Sequence, residues 1–337
     1  MLLTPAGQTV EQVRPNAQVI DRDPVDFALL PNSRAAIANR IAGTIAIVDL
    51  ENGNIVSETS VGDEPVGVVS SRDGLRLVAA SRRSGELSIL AIQPSLAVLR
   101  RIRVGGEPRG VAVDPAGKRA WAALSDHDSV VEVDIETGKI VRTVAVPDEP
   151  WHLALTPDGK RLVVGSTNAR ELTVLDAATL ATVQRTRTAG RNIRRIAVDP
   201  TGTWAYFPMI AERQAPADRV NIDRGWVVGN RLARVRIGTD APREAITLDS
   251  LGAGVADVEG CAVAPDGSAL AITAAGSHEV VLFEKPLSLP FVSFGGPGDH
   301  VDPDSRRQMA RIRVEGAPMA CRFSSDGRSV WVVERFG

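Results

Sequence analysis

Short apolar runs separated by turn residues repeat along almost the whole chain. The stretch that begins at Gly105, GGEPRGVAVDPAGKRAWAALSDHDSVVEVDIETGKIVRTV, contains four such runs, with Gly, Pro or Asp at every break. The breaks fall about every ten residues, which is too close for pairs of helices and typical of antiparallel β-strands. The pattern therefore predicts an all-β chain built from units of four strands.

Seven copies of this unit align on the loop that precedes their first strand. The anchor residues are Pro24, Pro65, Pro108, Pro150, Asn192, Val258 and Pro318. A period of about 42 residues with four strands in each unit is typical of one blade of a β-propeller. The sequence predicts a single domain over residues 1–337, folded as a seven-bladed β-propeller of four-stranded antiparallel blades. Two longer spacings predict insertions at residues 208–230 and 285–310.

The last unit is incomplete, because it ends at SVWVVERFG after only two strands. The N-terminal segment LLTPAGQTVEQVR aligns with VDIETGKIVRTVA, which forms the third and fourth strands of another unit. An open ring would expose strand edges, and closure would remove them. We therefore expect residues 1–14 to complete the last blade as its third and fourth strands.

Parts of the repeat resemble a known family. GGEPRGVAVDPAG and SVVEVDIETGK resemble the YVTN-type β-propeller repeat over nearly the whole chain. The segments NIDRGWVVGNRLARV and GGPGDHVDPDSRRQMARIRVEGAPM resemble a bacterial subgroup of these propellers, often followed by or paired with a di-haem c-type cytochrome module. The resemblance implies a periplasmic or extracellular protein with a protein partner, such as a c-type cytochrome or another redox subunit. It is specific for the fold and says little about chemistry.

Composition excludes several classes of function. A net charge of −2 argues against binding to nucleic acid or to an anionic membrane surface, and no apolar run is long enough to span a membrane. The N-terminal residues lack the basic region and apolar core of a signal peptide. The two cysteines form no disulfide framework, and no C-x-x-C-H motif is present. We therefore expect no covalently bound cofactor.

Candidate site residues fall in the loops that enter the innermost strands, on what we call the top face. The residues predicted at equivalent positions are Asp26, Gly67, Gly110, His152, Arg194, Gly260 and Ala320. Small residues are the rule there, so the large polar side chains of Asp26, His152 and Arg194 are not needed to form the repeat. We expect these three to project towards the mouth of a central channel, together with Glu259.

The loops between second and third strands lie on the same face and add His127, His278 and Trp226. A cluster of histidines and carboxylates suits a metal ion or an anionic ligand, although the spacing matches no metal motif. The alternative is that these are solvated loop residues and that His152 is a hydrogen-bonded core histidine. The segment DHVDPD, at residues 299–304, offers oxygen ligands for Ca²⁺ or, alternatively, a turn capped by aspartates.

Catalytic sequence motifs are absent, including the nucleophile elbow, the phosphate loop and the dinucleotide fingerprint. The sequence therefore favours a non-catalytic binding or scaffold propeller that presents its top face to a ligand or partner. One alternative is an enzyme, such as a lactonase, a lyase or a dehydrogenase subunit, with a site around His152, Arg194 and Glu259. Another is a purely structural subunit of a redox complex. Whether the chain is an enzyme stays open at this point.

Overall fold

The computed structural model describes residues 2–3, 9–11, 22–188, 190–212, 216–223, 227–240, 244–249, 254–293 and 309–335. Almost all of the regular structure in these ranges is β-strand, with one short α-helix, α1 (Arg219–Asp223), and two 3-10 turns at Ser125–His127 and Pro286–Ser288. No helix in the described part of the chain is long and apolar enough to cross a membrane.

The strands follow the repeat closely in the first half of the chain. They are β1 (Leu2–Leu3), β2 (Thr9–Glu11), β3 (Pro24–Leu30), β4 (Arg34–Asn39), β5 (Thr44–Asp49), β6 (Ile55–Ser60), β7 (Pro65–Ser70), β8 (Arg76–Ser81), β9 (Glu86–Ala91), β10 (Ala97–Arg103), β11 (Pro108–Val113), β12 (Arg119–Leu124), β13 (Ser129–Asp134), β14 (Ile140–Ala145), β15 (Pro150–Leu155), β16 (Arg161–Ser166), β17 (Glu171–Asp176) and β18 (Thr182–Arg187). From β3 to β18 every group of four consecutive strands forms one antiparallel sheet.

The second half of the chain is less regular. Its strands are β19 (Gly190–Arg191), β20 (Ala197–Val198), β21 (Trp204–Glu212), β22 (Val228–Arg236), β23 (Glu244–Thr247), β24 (Val258–Val263), β25 (Ala269–Ala274), β26 (Glu279–Glu284), β27 (Val292–Ser293), β28 (Met309–Arg313), β29 (Ala317–Phe323) and β30 (Ser329–Arg335). The innermost strands β3, β7, β11, β15, β20, β24 and β29 contact one another in sequence, and β29 also contacts β3. The sheets are therefore arranged around a central axis, and the predicted β-propeller is confirmed.

The predicted number of blades is wrong. The described residues form six four-stranded blades, whereas the segment expected to form the fifth of seven blades is a six-stranded sheet, ordered β19-β21-β22-β23-β27 with β20 also paired to β21. Its inner edge is split into β19 and β20, because residues 192–196 leave the ladder. The insertion at 208–230 lengthens β21 and β22 to nine residues each, and β27, which belongs to the 285–310 insertion, pairs with β23.

The N-terminal strands lie in one sheet with the last two strands, in the order β1-β2-β30-β29. Thr9 is opposite Ser329 and Glu11 is opposite Trp331, so β2 runs parallel to β30. The expected order, with β1 third and β2 fourth in an antiparallel blade, is therefore wrong. β2 lies next to β30, in the position expected for β1. Because β1 and β2 run antiparallel to each other, this exchange makes the pairing with β30 parallel.

Neighbouring sheets pack face to face through branched and small apolar side chains. Between the second and third blades, buried Val78, Leu87 and Ile89 lie in one cluster with Val111 and Ala122. The outermost strands are only half covered, and β14 alternates between exposed and partly buried positions. The core therefore consists of layers between blades, which leaves the axis free for a channel.

The entrance to the innermost strands has a common backbone geometry. The residues that precede these strands have φ between 49° and 59°, and they are Asp23, Glu64, Glu107, Glu149, Asn192 and Asp257. After these left-handed residues the strands approach one another closely. A Cβ atom on Gly110 would lie 2.7 Å from Cα of His152, so glycine is required where the two strands meet.

Candidate functional site

The axis of the propeller contains a cavity of about 840 Å³, lined by the innermost strands and the loops that enter them. Seven arginines line it, and they are Arg40, Arg82, Arg109, Arg194, Arg195, Arg322 and Arg335. Two carboxylates line it, Asp26 and Glu259, together with one histidine, His152, and one tryptophan, Trp151. The cavity is therefore rich in guanidinium groups, although the protein as a whole is slightly acidic.

The deeper part of the cavity contains a buried charge cluster around Asp26. Arg195 approaches Oδ1 of Asp26 with Nη1 at 2.9 Å, and Arg322 donates to the same oxygen from Nη2 at 3.0 Å. The backbone N–H of Val68 donates to Oδ2 at 3.0 Å. Burial alone would raise the pKa of Asp26, but the two guanidiniums and the Val68 N–H lower it below its ordinary value of 3.8. Asp26 is therefore ionised at neutral pH.

The predicted placement of Arg194 is wrong by one residue. Asn192 adopts the left-handed conformation that Glu149 adopts in the preceding blade, so the two residues are equivalent. It follows that Arg195, and not Arg194, occupies the position of His152 and Asp26. The error arose because Asn192 was aligned with Pro150, whereas its left-handed conformation matches that of Glu149, the residue before this proline.

His152 lies half-buried in the wall of this cavity. Its Nδ1 accepts a hydrogen bond from the backbone N–H of Ile196 at 3.2 Å, so the neutral ring carries its proton on Nε2. Burial and the positive charge of Arg195 hold the pKa of His152 well below 6.5. Nε2 makes no hydrogen bond to any described residue. His152 therefore combines both sequence-based interpretations, since it is hydrogen-bonded to the scaffold and also faces the cavity.

The mouth of the cavity is a rim of paired charges. Arg40 and Arg335 both contact Asp23, whose side chain is fully buried. Arg82 contacts Glu64 and also lies 3.4 Å from Glu107. The rim therefore links loops from different blades through ion pairs.

Glu107 joins two of these rim arginines, because Arg109 lies 3.3 Å from it. The carboxylates of the rim come from the left-handed residues that precede the innermost strands. The left-handed conformation of each of these residues therefore places its carboxylate beside arginines of the loops at the mouth.

Arg194 and Glu259 form an ion pair on the other side of the mouth, and Arg194 also lies 3.5 Å from Asp257. Trp151 lies beside them, with the Arg109 guanidinium 3.6 Å and that of Arg194 5.4 Å from the ring centroid. Burial raises the pKa of Glu259 to about 7, although Arg194 opposes this shift. The mouth thus holds a carboxyl group that changes charge near neutral pH.

The raised pKa of Glu259 predicts a pH-dependent stability. The carboxyl titrates near 4.5 in the unfolded chain and near 7 in the folded protein, so only the folded state binds this proton between the two values. Stability contributed by this group is therefore present below pH 4.5 and is lost as the pH rises to about 7. We expect the free energy of unfolding of the wild type to fall by about 2 kcal/mol between pH 5 and pH 8 through this group, and Glu259→Gln not to show this fall.

Urea unfolding at these two pH values measures the effect. Glu136→Gln is the matched control, because Glu136 is exposed in the turn between β13 and β14. Equal pH dependence in the wild type and in Glu259→Gln would show that Glu259 does not titrate in this range.

The remaining predicted site residues are not brought to the cavity. His127 is exposed and packs against the backbone of Gly105 and Gly106, and His278 is exposed with Nδ1 3.2 Å from the carbonyl oxygen of Glu315. Trp226 and the segment at residues 299–304 lie outside the described residues. Within the described ranges, no three His, Cys, Asp or Glu side chains are placed to share a metal ion.

Several residues of the cavity were missed by the sequence analysis. Arg195 was hidden by the alignment error, and Arg109 stands one position before the residues considered. Arg322 comes from the middle of β29, where the equivalent residues are mostly alanine, as at Ala28 and Ala154. A charged residue in an otherwise alanine-rich layer is the signal that could have identified Arg322.

Comparisons with known proteins support the fold. No family model and no curated protein sequence matches the chain. Among solved structures, hydrazine synthase from Kuenenia stuttgartiensis is similar with a TM-score of 0.85 and 22% identity, covering 95% of each chain. The β-propeller domain of Cps50 (Swd1) from Myceliophteria thermophila is similar with a TM-score of 0.65 and 15% identity, covering 93% of each chain. At these identities the likeness shows a β-propeller and no more.

Proposed function

We propose that this chain is a binding propeller that docks a partner protein on its top face. The observation that carries this proposal is the mouth of the channel, where Trp151 is flanked by the guanidiniums of Arg109 and Arg194. Tryptophan and arginine are the residue types that contribute most often to binding energy in protein interfaces. The Trp151 side chain is surrounded by ion pairs, and protein interfaces have this composition, with aromatic residues at the centre and polar residues at the rim.

The hairpin of β21 and β22 adds an apolar surface on the same side. Its tip carries Val220 and Ile222 on α1, followed by Val228, and each of these side chains is 56% exposed. Isolated apolar side chains are common on protein surfaces, but three near one hairpin tip suit a docking contact. The mouth and the hairpin tip together form the proposed docking surface.

The class of partner that we propose is a c-type cytochrome or another redox subunit. This rests on the resemblance of the sequence to propellers that are paired with di-haem cytochrome modules. The similarity in fold to a hydrazine synthase chain supports the idea that such a propeller can be a subunit of a larger complex. From the resemblance of the sequence to these propellers we also propose that the protein is periplasmic or extracellular.

Capture of a haem protein from an extract of the source organism tests this proposal. The top-face variant is Trp151→Ala with Ile222→Ser, and the control is Lys118→Ser with Lys160→Ser, two exposed residues in turns on the opposite face. We expect the wild type and the control to capture a protein with a haem absorption spectrum, and the top-face variant to capture at least about tenfold less. Equal capture by the two variants, or capture of no haem protein by the wild type, would contradict the proposal.

A second candidate function, catalysis, is favoured by one observation. Glu259, with a pKa of about 7, and the neutral imidazole of His152 line the same cavity. Groups that exchange protons near neutral pH are those that general acid–base catalysis uses, as in a lyase or lactonase. Two variants separate the functions, because Glu259→Gln would abolish turnover, whereas Ile222→Ser on the hairpin tip, outside the cavity lining, would reduce capture of a partner and leave turnover unchanged.

A further inference from the structure

Arginines and carboxylates around the cavity balance one another at its mouth when Glu259 is ionised, and they do not balance below it. At the mouth, five arginines face five carboxylates, and these ten residues are Arg40, Arg82, Arg109, Arg194, Arg335, Asp23, Glu64, Glu107, Asp257 and Glu259. In the deeper cluster, Arg195 and Arg322 share one carboxylate, that of Asp26. Since His152 is neutral, the described residues leave one positive charge of this cluster without a counter-charge.

The same two arginines retain hydrogen-bond donors that could serve a ligand. Both contact the single oxygen Oδ1 of Asp26, although each guanidinium carries five N–H groups. The other contacts are to backbone carbonyls: Arg195 to Val25 at 3.5 Å, and Arg322 to Cys321 at 2.8 Å. Most of the donors of this pair are therefore not used by the described residues.

The wall of the channel around and below this cluster is apolar. Phe27, Leu153 and Ile196 line the cavity next to the charged layer, and Ala112 and Ala154 line it one residue further along the strands. The small side chains at this level leave space for the apolar part of a bound molecule. A volume of about 840 Å³ is within the range of pockets that hold small organic molecules.

We propose that the channel binds a small organic monocarboxylate, with its carboxylate on Arg195 and Arg322 and its apolar body against the wall beneath them. One negative charge matches the single positive charge in excess, and two guanidiniums provide the paired donors that a planar carboxylate accepts. The Nε2–H of His152, which lines the same cavity, offers one more donor. This site lies below the docking surface and does not depend on the partner.

Isothermal titration calorimetry with benzoate tests this site, with benzamide as the neutral analogue and inorganic phosphate as a competing anion. The test variant is Arg322→Gln, and the matched control is Arg328→Gln, an exposed arginine in the turn between β29 and β30. We expect the wild type and the control to bind benzoate alike, with affinity about tenfold or more weaker for Arg322→Gln and for benzamide.

Three results of the benzoate and benzamide titrations would overturn the proposal. They are equal affinities of the wild type and Arg322→Gln, equal affinities for benzoate and benzamide, and no benzoate binding at concentrations up to about 10 mM. Tighter binding of phosphate than of benzoate would also overturn it, because the ligand would then be an inorganic oxyanion.

Arg322→Lys serves if Arg322→Gln does not fold, because it keeps the positive charge beside Asp26 but loses the planar pair of donors, so it should bind benzoate more weakly than the wild type. Asp26→Asn removes the carboxylate that competes with the ligand, so benzoate should bind several-fold more tightly, whereas unchanged or weaker binding would contradict the site. Ile222→Ser separates this site from the docking surface, since Ile222 lies on the hairpin tip outside the cavity lining and its replacement should leave benzoate binding intact.

Discussion

Replacement of Asp26 by Asn is expected to lower the free energy of unfolding by about 3–5 kcal/mol at pH 7. Within the described part of the chain the carboxylate is the only acidic partner that Arg195 and Arg322 share, and its side chain is 3% exposed. An amide has one acceptor oxygen, so the N–H of Val68 or the guanidiniums must lose a partner. The loss is large because two partly buried guanidiniums are then left without the buried carboxylate that pairs with both.

Urea unfolding of the variant and the wild type measures this loss. Asp126→Asn is the matched control, because Asp126 is exposed on the same face and should change stability little. If benzoate fills the deeper site, it should also recover part of the stability of Asp26→Asn, since a bound anion replaces the missing charge. A change of less than about 1 kcal/mol in Asp26→Asn would show that the cluster is not electrostatically coupled.

Replacement of Gly110 by Val is expected to destabilise the protein by about 3–4 kcal/mol. A Cβ at this position would lie 2.7 Å from Cα of His152 and 2.9 Å from the backbone nitrogen of Leu153. Both atoms belong to the backbone of β15, so the clash cannot be relieved by turning a side chain. The innermost strands would have to separate, and the wall of the channel would be distorted.

Thermal and urea unfolding of a graded series check this expectation. Gly110→Ala should lie between the wild type and Gly110→Val. Gly254→Val is the control, because a Cβ there would meet only the side chain of Asp249, at 3.3 Å, and no backbone atom of a neighbouring strand within 4 Å. A Gly110→Val protein as stable as this control would mean that the strands are not packed as tightly as described.

The fold could be predicted to the level of a β-propeller, because turn residues at regular spacing mark each strand. The predictions of the number of blades and of the strand order failed where segments of the chain depart from the repeat. The insertion at 208–230 lies where a loop is expected, but its two ends, residues 208–212 and 228–230, continue the ladder of β21 and β22. The pairing of β27 with β23 joins segments that are distant in sequence, which a local pattern cannot show.

The candidate site was predicted in part. Asp26, His152, Arg194 and Glu259 do line one cavity, as the location of the innermost strands implied. The partners that define their chemistry were not visible, because Arg195 and Arg322 reach Asp26 across 169 and 296 positions of the sequence. His127 and His278 were placed on the correct type of loop, but a loop position does not determine where a side chain points.

The most direct test of the central claim, that the channel is a binding site, is a crystal structure of the protein grown with 4-bromobenzoate. The anomalous signal of bromine locates the ligand independently of its carboxylate. The account predicts a bromine peak inside the channel, next to the apolar wall, with the carboxylate on Arg195 and Arg322. A protein that binds 4-bromobenzoate in solution but shows bromine only outside the channel would contradict it.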